Sequence, residues 1–286
     1  MTANIRTLVF FAVLLLLVGA LMGYNRYTVR SAQDVAKIDT LSGQRIGTII
    51  GWESDLLLSD RDDVTLMRYD TLSECILALS YHQIDAIGMD MGTFSASMRT
   101  VSGLEAVGEP LSTMGSTLLA SLDAEDSGIL DELNQFAHDF QCSEDYQDYL
   151  ERLFFENGET EYVMREIPVV KNGKPLNVCY YPEYYPACYM NTVTGEPEGA
   201  SVEFVERFAY AYGYTINFTA ESETGVFVGL GNGTYDLAVS STTDAYRDAV
   251  EASGYALMSE PYSYCDVRMI HVKDGQKVTL SGFIEE

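Results

Sequence analysis

Residues 41–52, LSGQRIGTIIGW, leave a polar turn for a β-branched apolar run, Arg45 to Ile50, that stops at Gly51. A short apolar run closed by glycine is the pattern of a buried strand opening into a turn, and a helix is expected from about Ser54. Val64 to Tyr69 reads as the next strand. Thr71 to Tyr81 then places Leu72, Cys75, Ile76 and Leu79 on one helical stripe, with Ser73 and Glu74 outside it. Asp85 to Met89 is again strand-like. Short apolar strands alternating with amphipathic helices predict an α/β layer with a largely parallel sheet.

The same grammar returns later in the chain. Leu176 to Tyr180, Thr215 to Phe218 and Leu237 to Val239 read as strands, and Ala200 to Tyr212 and Asp244 to Ala252 as helices, with a short helix near Val226. Asp244 is expected to cap its helix. Between the two sets, Ile129 to Phe140 and Ser143 to Phe155 form two helices, the second with Ser143 as its expected cap. A polar connection, Glu156 to Pro175, is the expected internal boundary. Val267 to Val272 supplies a last strand.

The chain has 286 residues, 47% of them hydrophobic, enough for one large domain or two ordinary ones. Asp and Glu outnumber Lys and Arg 43 to 17, a formal charge of -26, so phosphate-rich partners such as nucleic acid are repelled. Leu8 to Met22 is an apolar run preceded by Arg6, short for a span and long for a signal-peptide core. An uncleaved anchor is favoured over a cleaved signal. Either places the remainder outside the cytoplasm, on a tether at Ser31 to Lys37. The five cysteines lack zinc-site spacings, and His82, His138 and His271 are scattered, so no metal or other cofactor is expected. Cys179 and Cys188 flank one loop and admit a bridge, but buried free thiols are the plainer reading.

Several phrases resemble the extracytoplasmic solute-binding proteins of amino-acid ABC importers, a bilobal family of periplasmic-binding-protein type. Asp39 to Trp52, DTLSGQRIGTIIGW, and Ala78 to Asp90, ALSYHQIDAIGMD, resemble phrases of that family's second lobe. Leu176 to Met190, LNVCYYPEYYPACYM, with GEPEGASVEF (195–204), LGNGTYDLAVSSTTDAYR (230–247) and SEPY (259–262), resemble its first lobe. The resemblance therefore implies two Rossmann-like lobes in reversed order: an anchor and tether (1–30), a lobe-2-like segment (31–165), a hinge (166–175), a lobe-1-like segment (176–275) and a tail (276–286). It also leaves open that the chain is a fragment of a longer receptor, fused or not to its permease.

The resemblance further implies a small amino-acid-like ligand, delivered to an ABC permease. Arg247 is the expected cation for a ligand carboxylate, through its planar two-pronged fork. Ser240 and Thr242 precede it on a strand-to-helix turn that suits an anion. Asp90, at a strand's carboxyl end, is the expected partner of an ammonium, with helix capping as the alternative. Tyr184, Tyr185 and Trp52 are candidate walls. The sequence also departs from the family pattern. Trp52 stands where a Thr is usual, Ser201 and Glu203 replace two Asp, and Asp244 replaces a Thr. These departures speak against a standard polar amino acid. With no nucleophile–base pair or nucleophile elbow in the sequence, catalysis is not expected. The remaining alternative is the ligand-sensing ectodomain of a signalling system.

Overall fold

A computed structural model describes residues 41–155, 161–240 and 242–280. The expected anchor, Leu8 to Met22, and tether, Ser31 to Lys37, lie outside the described residues. Among those described, no helix is long and apolar enough to cross a membrane. The described residues form two compact units, one of residues 41–89, 100–109 and 268–280, the other of 90–99, 110–155, 161–240 and 242–267. The division does not fall at the expected boundary, since its described residues, 161–175, lie inside the second unit. The chain instead changes unit within the long strands Leu104–Ser116 and Ser263–Val272 and around the short helix Met91–Ser97.

In the first unit the sheet order is Thr65–Tyr69, Arg45–Ile49, Ala86–Asp90, Ser263–Val272, Leu104–Ser116. The strand Arg45–Ile49 runs parallel to both Thr65–Tyr69 and Ala86–Asp90, as alternation with the helices Glu53–Leu58 and Leu72–Ser80 demands. Gly47 is required by packing: a Cβ there would stand 2.4 Å from Ile84 Cδ1 and 2.7 Å from Cys75 Sγ. Gly51, at φ 80°, makes the turn that ends the strand. Thr71 and Glu74 form a reciprocal capping box at the start of Leu72–Ser80.

In the second unit the order is Tyr214–Ala220, Lys174–Tyr180, Leu237–Val239, Leu119–Ala120, Leu257–Met258. The first three are parallel, joined through the helices Ala200–Tyr212 and Glu223–Gly231. Leu119–Ala120 runs antiparallel between two strands that come more than a hundred residues later, pairing Ala120 with both Leu237 and Leu257. The helices Ile129–Gln141 and Asp145–Leu153 share one core with Ala200–Tyr212, where Phe204 meets Phe136 and Phe140 at ring-centroid separations of 5.4 and 5.6 Å. Residues from both halves of the sequence thus build a single hydrophobic core.

Two expected caps are corrected. The helix assigned to Ser143 starts at Asp145, and the Ser143 hydroxyl donates to Phe140 O (2.6 Å), closing the preceding helix instead. Asp244 heads a 3₁₀ turn, Asp244–Tyr246, and its carboxylate accepts from the Gly115 N–H (2.8 Å) rather than from its own helix. Cys75, Cys179, Cys188 and Cys265 are buried free thiols, and Cys142 is exposed. No bridge joins Cys179 to Cys188.

Candidate functional site

The parallel strands Lys174–Tyr180 and Leu237–Val239 end side by side, with Val239 opposite Tyr180. Beyond their carboxyl ends lies a narrow cavity of about 60 Å³, wholly within the second unit. Its walls come from six places, one of them Leu153 and Phe154 at the end of the helix Asp145–Leu153. Tyr184, Tyr185, Pro186 and Ala187 follow the first strand, Ser240, Thr242 and Thr243 follow the second, and Ser201 opens the helix Ala200–Tyr212. Asp90, Gly92 and Thr93 come from the start of Met91–Ser97, and Met114, Ser116, Tyr262 and Cys265 from the long strands and the residue before one of them.

Of the sequence-predicted residues, Asp90, Ser240, Thr242, Tyr184 and Tyr185 meet at this cavity. Asp90 caps Met91–Ser97, its Oδ1 accepting from the Thr93 N–H at 2.8 Å. Burial pushes its carboxyl above the usual carboxylate range, although the Thr93 N–H opposes the shift. The Ser240 and Thr242 hydroxyls share a short hydrogen bond. Tyr185 is held from several sides: its OH accepts from the Tyr162 N–H (2.8 Å), the Arg99 guanidinium lies 4.5 Å from its ring centroid, and Tyr189 packs at 5.0 Å.

Two predicted residues are elsewhere. Arg247 does not line the cavity, because its Nη1 and Nη2 donate to Met258 O (2.9 Å) and Ser259 O (2.7 Å). The fork expected for a ligand carboxylate instead fastens its helix to the strand Leu257–Met258 and the residue after it. Trp52 belongs to the first unit, where it is half-buried at the start of Glu53–Leu58 and its N–H donates to Ile49 O (3.1 Å).

Residues 176–279 match the model of the bacterial extracellular solute-binding proteins, family 3. This segment belongs to that family. A search of curated proteins finds no sequence match. Among solved structures, the chain is similar to the ligand-binding component of an ABC-type import system from Staphylococcus aureus with zinc bound. That alignment has 12% identity over 80% of this chain and 65% of the other, with a TM-score of 0.40. The probable amino-acid ABC transporter extracellular-binding protein ytmK from Bacillus subtilis aligns at 10% identity over 82% and 85%, TM-score 0.43. The second substrate binding domain of a putative amino acid ABC transporter from Streptococcus pneumoniae aligns at 12% over 81% and 86%, TM-score 0.43. Likeness at this level assigns neither ligand nor activity.

Within the solute-binding segment, two features of the site escaped the sequence reading. Tyr262, the last residue of SEPY, stacks on Phe204 at 4.2 Å and shares a 2.6 Å hydrogen bond with the Ser201 hydroxyl, so both sit in the cavity wall. Their signal was present, since both fall inside quoted family phrases. Glu203, noted only as a departure from the family pattern, is fully buried and turned away into an ion pair with Arg152. Gly199 sets the wall's backbone. It stands at φ 129°, and a Cβ there would lie 2.3 Å from Ala187 O.

Proposed function

We propose that the chain is the extracytoplasmic solute-binding component of an ABC importer, holding a small solute in the cavity of its second unit and passing it to a permease. The observation that carries this reading is the cavity's place, at the carboxyl ends of adjacent parallel strands, where open α/β sheets bind their ligands. The family match over residues 176–279 supports the transport role and a location outside the cytoplasm. The order of the two segments is read as a permutation of the family's chain. Insertion of Leu119–Ala120 into the sheet of the later segment supports one chain building one receptor.

The test is a thermal-shift screen of the full chain against amino acids, amines, short peptides and sugars, with calorimetry on each hit. A solute that stabilises the full chain and not a Thr93→Trp variant, whose indole fills the cavity, is the expected result. A folded chain that no solute stabilises would overturn the proposal.

A further inference from the structure

Two arginines and several backbone N–H groups near the cavity that could hold a carboxylate are already engaged. Arg247 gives both terminal nitrogens to backbone carbonyls, Met258 O and Ser259 O. Arg99 lies over the Tyr185 ring and pairs with Glu161 at 3.1 Å. At the start of Ala200–Tyr212, where exposed N–H groups would attract an anion, the Ala200 and Ser201 N–H groups donate to Pro186 O (3.0 Å) and Ala187 O (2.9 Å). At the start of Met91–Ser97 the Thr93 N–H donates to Asp90, and the Gly115 N–H donates to Asp244. What remains in the lining is one charged side chain, Asp90, among hydroxyls and aromatic rings.

An α-carboxylate brought into this cavity would shed its water, meet no free cation among the described residues and stand near a second carboxylate. An ammonium meets the opposite conditions. Asp90 offers a charge-assisted acceptor, and no positively charged side chain stands among the described lining residues to repel it. The formal charge of -26 raises the local concentration of cations and lowers that of anions. We infer that the solute taken by this cavity is a small organic amine without a carboxylate, its ammonium directed to Asp90 and its body laid against the tyrosines. The inference rests on the solute-binding reading above and narrows it to one ligand class.

Matched pairs that differ only in the carboxylate provide the test: tyramine against tyrosine, histamine against histidine, cadaverine against lysine and isobutylamine against valine. Each is titrated into the full chain by calorimetry at low and at 0.5 M salt. In at least one pair the amine should bind ten-fold or more tightly than its amino acid, and added salt should weaken it. Asp90→Asn, which keeps the acceptor that caps the helix, should lose ten-fold or more for that amine. An amino acid that outbinds its amine, or an amine whose affinity survives Asp90→Asn unchanged, overturns this inference and leaves the receptor reading standing. Failure of every solute in both experiments overturns both.

Discussion

Arg152 and Glu203 meet as a two-pronged ion pair inside the second unit, Nη1 to Oε2 at 2.7 Å and Nη2 to Oε1 at 2.8 Å, with side chains 4% and 0% exposed. The pair joins the helix Asp145–Leu153 to the helix Ala200–Tyr212. Glu203 also accepts from the Tyr162 hydroxyl (2.8 Å), the Arg165 N–H (2.9 Å) and Arg207 Nε (3.0 Å), so its charge is fully surrounded by donors.

Breaking a buried pair leaves an uncompensated charge and costs about 3–5 kcal/mol, whereas replacing both partners with apolar groups is often close to neutral. Glu203→Gln is therefore expected to lower the unfolding free energy by about 3–5 kcal/mol, and Arg152→Met with Glu203→Leu to recover most of the loss. Urea unfolding followed by circular dichroism measures both. A Glu203→Gln chain as stable as the parent would show that the pair does not hold the two segments together. The pair also has an acid signature. Burial pushes Glu203 up, but the Arg152 hydrogen bonds and the Arg165 N–H outweigh it and hold the carboxyl below its ordinary value. A depressed carboxyl stabilises the fold above its unfolded pKa, and the contribution is lost as pH falls through the folded one. The parent should therefore lose stability more steeply than Glu203→Gln below about pH 4, near the usual Glu value.

Much of this architecture is legible in residue patterns. Strand Leu237–Val239 and helix Ala200–Tyr212 stand at their expected bounds, and Arg45–Ile49 within a residue of its own, because each follows one strong periodicity. The long strand Leu104–Ser116 and the three-strand meander Glu183–Tyr184, Cys188–Met190, Pro197–Glu198 went unread. The first carries Gly108 and Pro110 within it, and the others are two or three residues long, too short for any period. At the site, chemistry named the residue types but not their directions. Asp90 lines the cavity and also caps a helix, so the two readings of its carboxylate are compatible. Arg247 has the planar fork that a carboxylate needs. Nothing local to its sequence says that two carbonyls twelve residues away or fewer would occupy that fork first.

The cysteines give a prediction that needs no ligand. Burial pushes the Cys75, Cys179 and Cys188 thiols up to about 12 and Cys265 higher still, which keeps them protonated and unreactive, while Cys142 is exposed. Ellman's reagent at pH 8 should modify one thiol of the native chain rapidly and all five after denaturation in guanidinium. The Cys142→Ser chain should show none in the native state. Fewer than five thiols in the denatured, unreduced chain would reveal a disulfide and overturn the expectation.

Glu206 supplies a titration opposite in sign to that of Glu203, three residues before it on the same helix. Burial, and then the negative charge of Glu203, raise its carboxyl to about 7. A raised folded pKa means that ionisation is easier in the unfolded chain, so stability is fully present below the unfolded value near 4.3 and is lost as pH rises through about 7. Partial exposure of the side chain reduces the full linkage value, leaving an expected loss of about 1–3 kcal/mol between pH 5 and pH 8. Glu206→Gln should remove that slope and leave the acid-side loss from Glu203 in place. Urea midpoints taken at half-unit steps from pH 4 to pH 8 separate the two, because Glu203 is already ionised throughout the upper part of that range. An equal alkaline slope in Glu206→Gln and the parent would assign the loss to another group and show that Glu206 ionises in the folded chain as readily as it does in water.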